Sequence, residues 1–488
     1  MIKTFYRKIL LNPRNVRLTY DVIISLFASG IILLAFQLFA MPSMPLVDIF
    51  ILTFLFILGN YLFGIYGRYK ASSDVLKKSV LISSSGICIL FIYFIVGQLS
   101  LAVLIATVFT VTLSILPRFF FNIYNINDKH QRLNYIITEK LPILVVGGGG
   151  YIGTHVVEKL LKENYKVRVF DKFLYNRSVF TDLERNKNLE IIQGDVTDIY
   201  SLTMALKDVQ AVVHLAGIVG DPAAKLDEKL TRHVNIVSTR MLKESVKAFR
   251  IPKFIFASSC SVYGASRDLV NEYSPLNPVS LYAQTKIDSE NELLYDPVDD
   301  FHPTILRFAT VYGHSRKPRF DLVANLFVAQ AYNNGLITVL NGKQWRPFIH
   351  VSDVAESIIK VIQAPVEKVS RQIFNVGDEK QHLQIGQLAK KVAKIVGENR
   401  KVKIISKDIV ADKRNYRVSF KKIHDTLDFS ATISIEEGIR EIYNNFKENN
   451  YQLPLNDPYY SNLEMTKKVK KEFYSKDYRK THFTGLSS

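Results

Sequence analysis

Two side chains set the chemistry: Tyr282 and Lys286, four residues apart in the stretch Ser-Leu-Tyr-Ala-Gln-Thr-Lys, Ser280 to Lys286. On a helix that spacing puts both on one face. A phenol titrates near pH 10 in water, and an adjacent ammonium favours its phenolate, so Tyr282 is placed to act as a base. About 20 residues upstream, Phe-Ala-Ser-Ser-Cys-Ser-Val-Tyr-Gly ends an apolar run and supplies Ser259 and Ser261. Their hydroxyls are suited to holding the oxygen of an alcohol under oxidation. A Tyr-x-x-x-Lys pair alone is common by chance, and its ordinary meaning is an exposed helix turn.

The elements that must position this set make it specific. Val-Val is followed by four glycines, Gly147 to Gly150, and by Tyr151, Ile152 and Gly153. A G-x-G-x-x-G pattern, here Gly148, Gly150 and Gly153, that follows a strand and opens a helix is a dinucleotide-binding fingerprint. Its glycines allow the tight turn, the approach of backbone to a pyrophosphate and close helix packing, and the helix start offers N–H groups to phosphate. Eighteen residues after Gly153, Asp171 ends the next apolar run, where a carboxylate accepts from a ribose 2′-hydroxyl. An acid there repels a 2′-phosphate, so NAD is expected over NADP, with Arg168 and Lys172 nearby. The other reading of Asp171 is a strand-end turn residue.

From Leu141 the pattern is strand, turn, helix, strand, repeated through Leu-Glu-Ile-Ile-Gln-Gly-Asp, Ala-Val-Val-His-Leu-Ala-Gly and Pro-Lys-Phe-Ile-Phe-Ala-Ser-Ser. Short Val/Ile-rich runs alternating with amphipathic stretches predict an α/β fold with a Rossmann-type doubly wound parallel sheet. A smaller C-terminal part, expected to bind substrate, is read as completing residues 141–455. Residues 456–488 read as a basic polar tail, disordered or on a membrane surface, with Lys467 to Lys471 as a charge run that is solvated in the plainer reading.

The first 140 residues differ in kind. Val22 to Val47 carries no charged residue, Ile49 to Gly67 none, and Ser79 to Pro117 none over 39 residues. A crossing needs about 20 apolar residues, and Gly97 to Ser100 is a polar turn within the third block. Four transmembrane helices are therefore expected within 21–117, at about 21–40, 48–67, 79–97 and 99–117, after an N-terminal segment 1–20 and before a linker 118–140. A cleaved signal peptide is disfavoured because the first run exceeds an h-region of about 7 to 15 residues. A soluble bundle is disfavoured because no block has a polar face. Lys and Arg occupy the N-terminal segment and the loop Arg68 to Lys78, and Arg118 follows the last block; the other two loops have neither. Both termini and the catalytic part are thus expected on the cytoplasmic side of the plasma membrane.

The net charge of +18 is largely absorbed by this juxtamembrane expectation, so anionic lipid rather than nucleic acid is the expected partner. Two cysteines, Cys88 and Cys260, make no disulfide framework, in keeping with a reducing compartment. No metal site is assigned.

In order, the glycine motif, Gly-Asp-Val-Thr-Asp at 194–198, His-Leu-Ala-Gly at 214–217, Ser-Ser-Cys-Ser-Val-Tyr-Gly at 258–264, Tyr-Ala-Gln-Thr-Lys, Leu-Arg-Phe-Ala-Thr-Val-Tyr-Gly at 306–313 and Arg-Pro-Phe-Ile-His-Val-Ser-Asp-Val-Ala at 346–355 resemble the extended short-chain dehydrogenase/reductases, which include the nucleotide-sugar epimerases and dehydratases. The resemblance covers about Leu141 to Asn450. It implies Ser259, Tyr282 and Lys286 as catalytic trio, and a cofactor shell of Gly147, Gly148, Gly150, Tyr151, Ile152, Gly153, Asp171, Asp195, Val196, Leu215, Ala216, Gly217, Tyr282 and Lys286. It implies Ser259, Ser261, Thr310, Arg346 and, more weakly, Arg414 as the substrate side, a structural role for His214, and a homodimer.

Dehydratases of this kind carry an Asp-Glu pair just after the catalytic hydroxyl residue, and decarboxylating relatives keep the Glu. Here those positions are Cys260 and Ser261. The resemblance therefore implies the simplest outcome, a 4-epimerase of a UDP-linked sugar that oxidises C4 transiently and returns the hydride. Thr310 stands where many members have Asn near the substrate phosphates, so substrate placement is expected to differ. Tyr61 to Ser73 is similar to the end of the second span and the following loop in membrane-bound polysaccharide-biosynthesis dehydratases of bacteria, which implies a role in surface glycan synthesis, the alternative being spans that serve as a simple tether. An oxidoreductase or dehydratase, a polyprenyl-diphosphate-linked sugar as substrate, and a non-catalytic NAD-binding scaffold are the alternatives.

Overall fold

A computed structural model describes residues 108, 111, 137, 140–175, 177–296, 301–398, 400–408, 414–449 and 457–474. The four expected spans, residues 1–20 and the linker up to residue 139 lie, apart from isolated positions, outside the described residues. Among the described residues no helix is long and apolar enough to cross a membrane.

Seven short apolar runs form one parallel sheet: β1 (Ile143–Val146), β2 (Val167–Asp171), β3 (Leu189–Gln193), β4 (Ala211–His214), β5 (Lys253–Ser259), β6 (Pro303–Phe308) and β7 (Ile373–Val376). Their order is β7-β6-β5-β4-β1-β2-β3. Every pairing is parallel. The central strands are mostly apolar, Ile-Leu-Val-Val in β1 and Ala-Val-Val-His in β4, because both faces are covered by helices, and β1 and β4 are buried at every position. The Rossmann-type sheet is therefore as expected. After β3 the chain returns across β1 to begin β4, which makes the carboxyl ends of β1 and β4 the topological switch point, where open α/β sheets bind ligands.

Helix α1 (Tyr151–Lys162) packs Val156, Val157 and Leu160 onto one face of the sheet. Helix α2 (Ser238–Ala248) and α3 (Leu281–Leu294) follow β4 and β5. A second apolar cluster gathers α4 (Val323–Asn334), α6 (Ile385–Gly397) and α7 (Ile435–Glu448), while α5 (Val351–Gln363) packs Ile358, Ile359 and Ile362 with the sheet. Helix α7 is closed at its start by a reciprocal bond between Ser434 and Glu437, a capping box.

One region departs from the sequence reading. Within 456–488, read as a polar tail, Asn462–Phe473 forms helix α8, capped by Ser461. Met465, Thr466 and Phe473 are buried, and Phe473 packs with Ile218, Ala223 and Leu230. The lysines dominate the composition, but Met465, Val469 and Phe473 recur at i, i+4, i+8 and make an apolar stripe. Lys467 and Lys471 stay exposed.

Candidate functional site

Gly147 turns the chain off β1 with φ +83°, and a Cβ there would stand 2.6 Å from the Ala216 backbone nitrogen. Leu215 and Ala216 N–H groups both donate to the Val146 carbonyl, at 2.8 and 3.1 Å, so the two loops at the switch point are in contact. The first turn of α1 carries no acid, and no side chain caps Gly150 at its start. Such a terminus suits an anion. Gly147→Ala is expected to cost more than about 1–2 kcal/mol, the penalty of the left-handed backbone alone. Urea unfolding and the nucleotide content of the purified protein check this, both being expected to fall.

The cleft above this turn is lined by every residue of the expected cofactor shell except Gly148. Gly148 lies beneath, and a Cβ on it would meet Val169 at 3.0 Å. Asp171, at the end of β2, accepts from Gly149 N–H at 2.9 Å and from Phe173 N–H at 2.7 Å. Burial pushes its carboxyl up against those bonds. Asp195 pairs with Lys172 at 3.2 Å and accepts from Thr197. Although burial opposes it, Lys172 and Thr197 hold that carboxyl below its usual range. The open helix terminus, the glycines that leave room for backbone contact and the strand-end carboxylate fit a dinucleotide.

At the inner end stand Tyr282 and Lys286, both buried, on α3. Burial raises the pKa of the Tyr282 phenol, while Arg319 and the neighbouring Ser259 hydroxyl pull the other way, so Ser259 stands close to the Tyr282–Lys286 pair. Lys286 donates to the Ala257 carbonyl at 2.7 Å, and its ammonium is 5.8 Å from the Tyr282 ring centre. Burial brings it down to about 8, with Glu290 opposing. The phenol is thus held more tightly protonated than an exposed one, because burial outweighs the opposing Arg319.

Lys286 also makes stability depend on pH. Between about pH 8 and its ordinary value, Lys286 is neutral when folded and charged when unfolded, so the unfolded chain binds the extra proton. The stability difference between wild type and Lys286→Met is expected to move in favour of wild type as pH rises from 8 to 10. Urea midpoints measured across that range check it.

His214 ends β4, buried, with Nε2 3.1 Å from the Thr239 hydroxyl. Burial lowers it to about 3, which leaves it neutral and structural. Ser259, Ser261, Thr310, Arg346 and Arg414 are not among the residues that line this cleft. Ser259 caps the turn after β5 and accepts from Ser261 N–H at 3.2 Å. Thr310 begins a short strand, Thr310–Tyr312, beside Phe348. Arg346 is buried and donates to the Trp345 and Arg414 carbonyls and to Gln344. Arg414 pairs with Asp221 at 2.9 Å, and Asp221 accepts from Ser280, the cap of α3. The two arginines therefore meet, and Arg414 is tied to the helix that carries Tyr282.

Three residues escaped sequence reasoning. Asn235 accepts from Ile218 N–H at 2.7 Å and donates to Thr285 at 3.1 Å, joining the loop after β4 to α3. Glu290 and Arg307 form a buried ion pair at 2.6 Å. The i, i+4, i+8 spacing of Tyr282, Lys286 and Glu290 was the available signal. Among the described residues no group of three or more His, Cys, Asp or Glu side chains could hold a metal ion.

Comparison with known proteins places this geometry. Residues 143–377 match the model of the NAD dependent epimerase/dehydratase family. A UDP-glucuronate 4-epimerase of Thermodesulfobacterium geofontis is 28% identical over 317 residues, 63% of this chain and 96% of its own. A human dTDP-D-glucose 4,6-dehydratase is 27% identical over 322 residues, 63% of this chain and 90% of its own. The crystal structure of UDP-glucuronic acid 4-epimerase from Bacillus cereus, in complex with UDP-glucuronic acid and NAD, superposes with a TM-score of 0.58 at 25% identity, covering 63% of this chain and all of that one.

Proposed function

We propose, from the match of residues 143–377 to the NAD dependent epimerase/dehydratase family and the likeness to UDP-sugar 4-epimerases, that the chain is a member of that family, an NAD-dependent UDP-sugar 4-epimerase. The choice is carried by the two residues immediately after Ser259. Cys260 is buried, its thiol directed at the Arg307 carbonyl at 3.1 Å and pushed up by burial. Ser261 is buried with no hydrogen-bond partner for its hydroxyl among the described residues. Neither can abstract the C5 proton or protonate a leaving hydroxyl, as a dehydratase requires.

NAD, held by the glycine turn, Asp171 and Lys286, would supply the hydride acceptor and donor at this site. Ser259 orients the C4 oxygen of the sugar through its hydroxyl. Tyr282 takes the proton of that oxygen and later gives it back, so no net proton is consumed. Lys286 places positive charge beside the phenol and lowers the cost of its deprotonation. Arg346 and Arg414 hold the diphosphate of the substrate, and Asp221 links that end to α3.

The uncharged blocks within 21–117 support a four-span anchor with the catalytic part cytoplasmic, and hence a role in surface polysaccharide synthesis beside anionic lipid. The test uses detergent-solubilised full-length protein, no added cofactor, and UDP-glucose, UDP-N-acetylglucosamine and their uronic acids, with proton NMR of the anomeric signals as the readout. A new 4-epimer is the expected result. Conversion only with added NAD(P)H would make the enzyme a net oxidoreductase, and no conversion would favour a lipid-linked sugar.

A further inference from the structure

Two segments close the cofactor cleft, and the epimerisation chemistry uses neither. The first is Gly313–Asp321. The Tyr151 hydroxyl donates to the Gly313 carbonyl at 2.8 Å, and Ser315 donates to the Tyr151 carbonyl at 2.8 Å and lies 3.0 Å from the Thr154 hydroxyl. These bonds pin the segment to the first turn of α1, the terminus that suits a phosphate. Two residues further on, Lys317 is 1% exposed. Its ammonium stands 3.5 Å from the centre of the Tyr175 ring and has no hydrogen-bond partner among the described residues. It lines the cleft together with Gly150 and Asp171.

A buried charge without a partner is costly, and contact with one aromatic ring offsets only part of that. The neighbouring cation does not share the problem, since Arg319 is paired with Asp321 at 2.9 Å. The second segment is α8, whose Asn462 ties three walls of the cleft together. Asn462 accepts from the Tyr175 hydroxyl at 2.6 Å, donates to the Val219 carbonyl at 3.2 Å, and its N–H donates to Asp321 at 3.0 Å. Met465, Val469 and Phe473 continue the lining.

We propose that Lys317 is a cofactor-binding residue whose ammonium takes the diphosphate of the dinucleotide, beneath a roof formed by Asn462–Phe473. This rests on the reading of the cleft as the NAD site. Backbone N–H groups of the α1 terminus offer partial charge to the diphosphate, and Lys317, brought down to about 7 by burial, adds a full charge outside the glycine fingerprint once the diphosphate beside it favours the protonated form. A phosphate-free ligand gains nothing from it.

The test is calorimetric titration of nucleotide-stripped, detergent-solubilised full-length protein with NAD, ADP and adenosine. Lys317→Met is expected to weaken NAD and ADP by about 10- to 100-fold, the worth of a hydrogen bond to a charged group, and to leave adenosine unchanged. Lys317→Arg is expected to restore most of the loss. Unchanged NAD affinity in Lys317→Met overturns the proposal, as does an equal loss for adenosine and ADP, which would mean a collapsed cleft. Asn462→Ala is expected to speed NAD release in a chase with excess unlabelled cofactor, and an unchanged release rate removes α8 from the site. Failure of the wild type to bind NAD would instead overturn the reading of the cleft.

Discussion

Tyr282→Phe is expected to lower turnover by about 10²- to 10⁴-fold, the range for loss of a positioned general acid/base, while NAD remains bound. Phenylalanine keeps the ring and its packing and removes only the hydroxyl, whose pKa the neighbouring Ser259 lowers. The proton on the sugar oxygen then has no acceptor of matching position. Because the loss is confined to proton transfer, the Michaelis constant is expected to change far less than the turnover number. Steady-state NMR rates and the nucleotide content of the purified variant check both parts. Wild-type turnover in Tyr282→Phe would remove the residue from the mechanism.

Arg307→Ala is expected to destabilise the fold by about 3–5 kcal/mol, the cost of stranding one partner of a buried ion pair. Arg307 on β6 donates to Glu290 on α3 at 2.6 Å and to the Tyr263 hydroxyl at 2.9 Å, and Tyr263 donates to Asn375 on β7 at 2.8 Å. The substitution leaves the Glu290 carboxylate, also the acceptor of the Ser258 hydroxyl, without its counter-charge. Replacing both partners, as in Arg307→Met with Glu290→Leu, is expected to recover much of the loss, because it removes both desolvation costs. Urea midpoints for the two single variants and the double variant check it; additive losses would mean that the two side chains act independently.

How much of the fold and site was legible in the sequence divides along physical lines. The parallel sheet was legible because buried strands need unbroken runs such as Ile143–Val146, and so was a glycine turn behind it, although Gly147, with its left-handed backbone, makes that turn where the fingerprint reading began at Gly148. Tyr282 and Lys286 were legible because one helix carries both. What the sequence hid depends on pairing across distance. Glu290 and Arg307, charged residues, are ordinarily solvated, and only the fold brings them together in the interior. The resemblance implies Arg346 as a partner of a substrate phosphate, whereas the contact the structure shows, a bond to the Arg414 carbonyl, is one that no motif encodes. Helix α8 was obscured by its own lysines, whose number outweighs an apolar stripe of three residues.

The cleft has its floor in the first strand of the sheet and its roof in the last described helix, and the Tyr175–Asn462 bond joins residues 287 positions apart. During synthesis the glycine turn leaves the ribosome long before Asn462 does. The sheet can form first, but contacts of such sequence separation close late. Completion of the nucleotide site is therefore a terminal event of folding, and a nascent chain halted before residue 462 carries the floor without the cover.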